Sequence, residues 1–160
     1  MFPFPLPKEM VVTRARIEGH MELDHATYDA LIEHARSDFP FEVCGLLAGA
    51  DGRIHKHYAI PNAARSMTYY SMDPKAMLHA MNEMDDNDWD LLAIYHSHTH
   101  TEAFPSSTDV QLAVYRDPVY LIISLQEQGQ PIIRGFDIVD GEISERLLVV
   151  DGIDAPVGVR

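Results

Sequence analysis

Five polar residues in two separated parts of the chain have the types and spacing of a metal-dependent hydrolase. His96 and His98 stand two residues apart, and strand side chains alternate, so both imidazoles would lie on one side of a strand. Asp109 follows His98 by eleven residues and supplies a third ligand if the chain turns back. Three nitrogen and oxygen ligands, with a fourth position left for water, are typical of a catalytic zinc site. Glu42 is then the candidate to take a proton from the water, and Ser106 lies close to the ligands.

Some of these residues also fit purely structural roles. Ser106 and Asp109 have the spacing of a capping box at a helix start, where the acid also complements the helix dipole. Both roles are compatible, because a serine held at a helix N-terminus is rigid and an acid in the first turn can face a metal. A second pair with the same spacing, His55 and His57, has no carboxylate suitably placed downstream, so we predict an ordinary exposed strand face there.

Cys44 is the alternative nucleophile, since histidines and acids elsewhere in the chain could activate a thiol. Its neighbours are apolar, and free cysteine is among the most often buried residue types. We therefore predict that Cys44 belongs to the core. It is the single cysteine of the chain, so it cannot form an internal disulfide, which fits a reducing cytoplasm.

Length and composition predict one soluble domain. The chain has 160 residues and is 46% hydrophobic, which is enough for a core. The formal charge of −13 argues against nucleic acid and anionic membranes as partners, because phosphate contacts need clustered lysines and arginines. The N-terminus is interrupted by prolines and has no basic start, unlike a signal peptide, and no apolar run is long enough for a membrane span.

Short apolar segments and turn signals position the five residues within an α/β domain. Strands are predicted over 43–48, 53–60, 91–95, 119–125, 132–139 and 143–150. The strand over 91–95 leads straight into the histidine pair. Helices are predicted after Asp24, after Asp73, and from Pro105 toward Asp117. Strands alternate with helices early and form hairpins late, so we predict a mixed β-sheet flanked by helices.

Two further predictions concern the second helix. Met77, Leu78, Met81 and Met84 recur at helical spacing and are predicted to form its apolar face. The aspartates at 85, 86, 88 and 90 lack the spacing of a calcium loop, so we predict a solvated loop there.

Taken together, Glu42, the segment 96–98, Ser106 and Asp109 resemble the signature of the JAMM metalloproteases, also called MPN-plus domains. The segment 39–47 is similar to the corresponding segment of bacterial and archaeal members. Segments 62–70 and 95–106 resemble a narrower group, the actinobacterial Mec-type peptidases of a cysteine-biosynthesis route. In that group a ubiquitin-like sulfur-carrier protein accepts an amino acid on its C-terminal glycine, and the peptidase releases cysteine. Thr99 departs from the wider family, in which proline is commoner after the second ligand.

The resemblance covers most of the chain. It implies a JAMM/MPN-plus metallopeptidase domain over 21–150, with a fold like that of cytidine deaminase. Residues 1–20 are predicted to form an N-terminal extension that is partly ordered at best, with a strand near 11–17. Residues 151–160 are predicted to form a C-terminal tail.

The resemblance also implies a mechanism. One Zn²⁺ per chain would be held by His96, His98 and Asp109. Glu42 would take the proton of the attacking water and pass it to the leaving amine. The Ser106 hydroxyl would stabilise the oxyanion that forms at the scissile carbonyl. We assign His100 a supporting or exposed position and not that of a fourth ligand.

The expected partner is a ubiquitin-like sulfur-carrier protein with a glycine C-terminus. Neither nucleic acid nor a membrane is expected, the location is predicted to be cytoplasmic, and the resemblance leaves room for a homodimer. Three alternatives are a general deconjugase of ubiquitin-like modifiers, a non-catalytic MPN scaffold and a zinc deaminase. Scaffold members generally lack the ligand set, which this chain keeps. A deaminase needs a Cys-x-x-Cys pair, which one cysteine excludes.

Overall fold

A computed structural model describes residues 19–154, so the strand predicted near 11–17 lies outside the described residues. The elements of this part of the chain are β1 (His20–Leu23), α1 (His25–Ser37), β2 (Cys44–Ala50), β3 (Arg53–Ile60), α2 (Pro74–Asp86), β4 (Asp90–His98), α3 (Ser107–Leu112), β5 (Val119–Ser124), β6 (Ile132–Val139), β7 (Glu142–Val150) and β8 (Ile153–Asp154).

The strands form one mixed sheet in the order β1-β7-β6-β5-β4-β2-β3, with β8 paired to β7. Strand β4 lies near the middle, antiparallel to β2 and parallel to β5. The pairing of β1 with β7 is also parallel, whereas β5, β6 and β7 form antiparallel hairpins. This arrangement confirms the predicted mixed sheet of a single α/β domain.

Helices cover both faces of the sheet. On one face, Tyr28, Leu31 and Ala35 of α1 pack against a core that includes Tyr95 of β4. On the other face, α2 packs through its methionines against a core that includes Cys44. The sheet is therefore buried on both sides at its centre, which explains why β4 and β5 read as continuous apolar runs.

Side-chain caps start the first two helices where the sequence predicted them. The Asp24 carboxylate accepts a hydrogen bond from the backbone N–H of Thr27 at 2.6 Å. Asp73 does the same for Ala76 at 2.9 Å, and Pro74 occupies the first turn, where its missing N–H costs nothing. These caps, worth about 1 kcal/mol each, set the starts of the helices independently of the core.

The prediction for α2 was wrong at one position of the apolar face and at the helix end. Met77, Met81 and Met84 are buried, but Leu78 is 42% exposed because it lies about 100° around the helix from Met77. The predicted solvated loop of aspartates was correct in part: Asp85, Asp86 and Asp88 are exposed, but Asp85 and Asp86 belong to α2 and Asp90 begins β4.

Helix α3 is shorter than predicted, ending at Leu112 instead of continuing toward Asp117. The cause is a tertiary contact. The hydroxyl of Tyr120 accepts a hydrogen bond from the backbone N–H of Tyr115 at 3.1 Å and donates one to its carbonyl at 3.0 Å. The backbone of Tyr115 is held by β5 and does not continue the helix.

The prediction that His55 and His57 share one exposed face was also wrong. A β-bulge interrupts the pairing of β2 with β3, so that Leu47 pairs with His57 but Gly49 pairs with Ile54. The extra residue turns the two histidines to opposite faces of the sheet. His55 is exposed and stacks on Trp89, at 5.8 Å between ring centroids. His57 is half-buried on the face covered by α1.

In the part of the chain that the structure describes, no helix is both long and apolar enough to cross a membrane.

Candidate metal centre

The histidine pair lies within the buried strand β4, which ends at His98, three residues beyond the end that the sequence predicted. Its register brings the distant glutamate to the same place. Cys44 of β2 pairs with His96. One residue earlier, the backbone N–H of Val43 donates to the Ser97 hydroxyl at 2.9 Å, and the Ser97 N–H donates to the Val43 carbonyl at 3.0 Å. Continuing this register sets Glu42 opposite His98, on the face that also carries His96.

Asp109 joins this group through the start of α3. The Ser106 hydroxyl accepts a hydrogen bond from the Asp109 N–H at 3.1 Å, and the Asp109 carboxylate accepts one from the Ser106 N–H at 2.9 Å. This capping box, predicted from the sequence, fixes the carboxylate. Its Oδ1 lies 3.2 Å from Nε2 of His96 and its Oδ2 lies 2.9 Å from Nε2 of His98.

Three ligand atoms therefore converge: one from each of His96, His98 and Asp109, all within 4.8 Å of one another. The Nδ1–H of His98 donates to the Glu102 carbonyl at 2.8 Å, a partner that leaves the lone pair of Nε2 facing the other two ligands. Two imidazole nitrogens and one carboxylate oxygen are a donor set that zinc accepts. The residues therefore fit the ion that the sequence predicted.

Burial and mutual charge perturb the ligands. Burial lowers the pKa of His96 and so favours its neutral form, which is the form that binds metals. Burial by itself would raise the pKa of Asp109, but the neighbouring His96 and His98 outweigh it and hold that pKa below its ordinary value. The carboxylate is consequently charged across the whole physiological range.

Glu42 is 3% exposed, and its Oε1 atom has no hydrogen-bond partner in the described part of the chain. Burial is the main reason why the pKa of this carboxyl rises to about 8. The charge of Asp109 adds to the rise and that of His98 opposes it. Leaving a buried carboxyl oxygen unpaired is costly, which makes the position a functional candidate.

Ser106 differs from the other site residues because it is exposed. Its oxygen accepts the capping hydrogen bond from Asp109, so its hydroxyl proton remains to be donated outward. The structure thus sets a rigid donor at the mouth of a buried carboxylate and imidazole cluster.

The two residues assigned no role in chemistry lie as predicted. Cys44 is fully buried, its thiol contacts the Ile60 carbonyl at 3.3 Å, and burial raises its pKa to about 12. A thiol with such a pKa is a poor nucleophile at neutral pH. His100 is exposed; its Nδ1 lies 2.8 Å from the Thr99 hydroxyl and its ring lies 5.5 Å from that of Phe39.

Sequence reasoning gave no role to Tyr70, which stacks on the His96 ring at 4.7 Å between centroids and is buried. It lies in the loop 62–71, which the Asn62 side chain connects to the Glu42 carbonyl at 3.0 Å. No local pattern marks either contact, because both depend on the pairing of segments distant in the chain.

Comparison with known proteins agrees with this geometry. Over 119 residues, 73% of this chain and 82% of the relative, the chain is 43% identical to the CysO-cysteine peptidase of Mycobacterium tuberculosis. It is 34% identical over 110 residues, 68% of this chain and 70% of the relative, to a protein from Thermus thermophilus named as a probable TtuB-protein conjugate cleaving protease.

Among solved structures, a Desulfitobacterium hafniense protein superposes with a TM-score of 0.74 at 35% identity, covering 82% of this chain and 92% of that one. Residues 24–136 match the family described as prokaryotic homologs of the JAB domain. This match spans well over half of the chain and includes all five site residues. The chain therefore belongs to the prokaryotic JAB-domain family, the JAMM hydrolases that its histidine, serine and carboxylate spacing predicted.

Proposed function

We propose that this protein is a zinc-dependent peptidase that hydrolyses the amide bond after the C-terminal glycine of a ubiquitin-like sulfur-carrier protein and releases cysteine. One observation carries the proposal: three ligand atoms converge beside a buried glutamate whose Oε1 is unpaired. The name of the mycobacterial relative supplies the substrate class.

His96, His98 and Asp109 would hold one zinc ion per chain. When bound, the ion supplies Lewis-acid polarisation of the scissile carbonyl and an attacking water that is acidic enough to ionise near neutral pH.

Glu42 moves the proton in this proposal. Burial raises the pKa of its carboxyl to about 8, and a cation held beside it would favour the charged form that accepts a proton. Its Oε1 accepts a proton from the attacking water, and the same carboxyl delivers that proton to the nitrogen of the leaving amino acid. The Ser106 hydroxyl donates a hydrogen bond to the carbonyl oxygen as negative charge develops there.

The direct test is incubation with CysO–cysteine, followed by mass spectrometry of the products. We expect loss of one cysteine residue from the carrier, abolition of that loss by a chelator and recovery on addition of zinc. Cleavage that survives complete metal removal would contradict the zinc mechanism. Failure of the zinc-loaded protein to cleave CysO–cysteine would contradict the substrate.

A second candidate function is removal of ubiquitin-like modifiers from whole proteins. It is favoured by the Thermus relative and by a desampylase of Haloferax volcanii, which is 35% identical over 103 residues, 60% of this chain and 74% of the relative. A carrier joined to a lysine side chain of a protein is the matching substrate. Faster cleavage of that conjugate than of CysO–cysteine would favour the second function.

The buried thiol provides a test of the rival chemistry. Cys44→Ser replaces the thiol by a hydroxyl, which can still donate to the Ile60 carbonyl but contains no sulfur. We expect cleavage within about twofold of wild type, because sulfur has no part in the proposed reaction. A loss of several hundredfold, with the fold intact by circular dichroism, would favour thiol catalysis.

The cytoplasm is the proposed location, on the ground that the chain has one cysteine and no internal disulfide is available to it. A homodimer remains compatible with the proposal, and analytical ultracentrifugation of the zinc-loaded protein tests it.

A further inference from the structure

Arg65 has a backbone conformation that its residue type does not explain. Among the described residues, five that are not glycine have positive φ, and four of them are aspartates. Aspartate tolerates this region because its short side chain bonds locally, and Asp51, Asp140 and Asp151 each precede a glycine in a turn. Arg65, at a φ of +43°, has neither property. Strained residues of this kind cluster at ligand-binding positions.

The surrounding loop holds Arg65 in this conformation. The Asn62 side chain donates hydrogen bonds to the carbonyls of Glu42 and Tyr69, at 3.0 and 3.2 Å. Its oxygen accepts from the N–H groups of Ala64 and Ser71, both at 3.0 Å. The Arg65 N–H donates to the Asn62 carbonyl at 3.1 Å. The loop is thus closed on one asparagine, and the arginine projects from a fixed turn.

This turn lies directly beside the proposed base. The Ser66 carbonyl accepts a hydrogen bond from the Glu42 N–H at 2.8 Å, so the backbone of the turn that carries Arg65 runs next to that of Glu42. The exposed guanidinium lies over the Phe41 ring, at 4.8 Å from its centroid, and this contact orients it. No carboxylate of the described residues forms an ion pair with it, although the chain has 25 acidic residues and 12 basic ones. Arg116, Arg134 and Arg146 have acidic partners, whereas Arg36 and Arg53, like Arg65, form no ion pair with a described residue.

We propose that Arg65 binds the free α-carboxylate of the amino acid that is released, and so selects carrier–amino acid conjugates over carrier–protein conjugates. This inference rests on the proposed function. The α-carboxylate of the leaving amino acid lies two bonds from the nitrogen that receives the Glu42 proton. With one zinc ion bound, its two positive charges offset the charges of Glu42 and Asp109, so a further cation is needed to attract an anionic leaving group specifically. The planar guanidinium matches a carboxylate with two parallel hydrogen bonds, and a lysine-linked protein conjugate has no carboxylate at that place.

The test compares two substrates that differ only in charge: CysO–cysteine, and the same conjugate ending in cysteinamide. For the zinc-loaded wild type we expect a kcat/KM that is higher for the carboxylate by about 10- to 100-fold. Arg65→Gln should lose that factor on CysO–cysteine and leave the cysteinamide rate unchanged. Arg65→Lys should recover part of it, since it keeps the charge and loses the planar fork. Arg53→Gln, an exposed arginine on β3, is the matched control and should behave as wild type.

Three outcomes would overturn the inference. The first is equal cleavage of both substrates by the wild type, and the second is an equal loss on both in Arg65→Gln, which would indicate a contact with the carrier or a structural effect. Arg65→Gly distinguishes a structural effect from loss of the guanidinium, because glycine adopts positive φ without strain and has no side chain. Retention of the carboxylate preference in a folded Arg65→Gly protein is the third. Cleavage of neither substrate by the wild type would instead contradict the proposed function.

Discussion

Two strands of this sheet carry histidines at the same spacing, and their surroundings make them different sites. The pairing of β4 with β2 is regular from Ala93 to His96, with its register shift farther along at Leu47/Ala48, and His96 and His98 share a buried face with Asp109. On β3, a bulge separates His55 from His57. His57 accordingly turns toward Tyr95, whose hydroxyl lies 2.6 Å from its Nε2 and 2.7 Å from Nδ1 of His34.

The two sites differ in whether their buried polar atoms have hydrogen-bond partners within the protein. Around Tyr95, one hydroxyl meets two imidazole nitrogens, and the buried polar atoms have partners within the protein. Around His96, by contrast, Glu42 Oε1 and His96 Nδ1 are buried with no hydrogen-bond partner in the described residues. A satisfied network stabilises a fold, whereas an incompletely satisfied one with converging ligand atoms is suited to bind something else.

The largest expected effect is on bound zinc, when each histidine pair in turn is replaced by alanine. We expect His96→Ala/His98→Ala to lower bound zinc from about one per chain to near zero, since two of three ligands are removed. His55→Ala/His57→Ala should keep the zinc. Metal analysis of the purified proteins measures both. Loss of zinc from the second variant, with the fold intact, would contradict the prediction that only the β4 histidines bind the metal.

Glu42→Gln should separate metal binding from proton transfer. The amide has nearly the shape of the acid but cannot take up a proton, so we expect unchanged zinc and a fall in kcat of about 10²- to 10⁴-fold. Steady-state kinetics with CysO–cysteine, alongside metal analysis, is the measurement. Near-normal turnover would remove the base from the mechanism.

Ser106→Gly should lower kcat by about 10²-fold, because it removes the donor to the developing oxyanion. Glycine is chosen because it costs the helix cap only a few tenths of a kcal/mol. Ser107→Gly, in the same first turn, is the control and should keep the wild-type kcat. If both variants lost activity equally, the effect would belong to the helix start and not to the hydroxyl.

The smallest expected effect concerns the β3 histidine and pH. Burial lowers the pKa of His57 to about 4 from an ordinary 6.5. Between these values the unfolded state binds more protons, so the free energy of unfolding should fall as the pH falls from about 6.5 toward 4. Because His57 is only half-buried and therefore screened, we expect about 1 kcal/mol from it.

Urea unfolding at pH 7 and pH 4.5, with chelator present throughout, measures this contribution of His57 to the free energy of unfolding. His57→Gln should flatten the pH dependence, and His55→Gln should leave it as in wild type. An identical pH dependence in all three proteins would show that burial does not lower the pKa of His57.

Local chemistry was sufficient to predict much of this molecule. Asp24 and Asp73 start their helices because a short carboxylate caps exposed N–H groups whatever lies nearby. The capping box of Ser106 and Asp109 was predicted for the same reason. The spacing also suggested a second role for Ser106 and Asp109 at the metal centre, and that role stays a prediction.

Other features needed contacts between distant segments. Leu78 was assigned to the wrong face because helical spacing alone does not say where an apolar stripe ends. Helix α3 ends early because of Tyr120, and Asp85 and Asp86 remain helical, neither of which a local pattern shows. The bulge in β3 is likewise a property of a pair of strands.

The sequence by itself determined which groups are present, the alternation that sets His96 and His98 on one side of a strand, and the caps that begin the helices. All of these follow from interactions within a few residues. Only the tertiary structure decided that Glu42 lies on that same face, that His57 turns toward Tyr95 and that Arg65 is held beside Glu42. Each of these depends on strand register and loop closure, and those are settled by burial of the whole sheet.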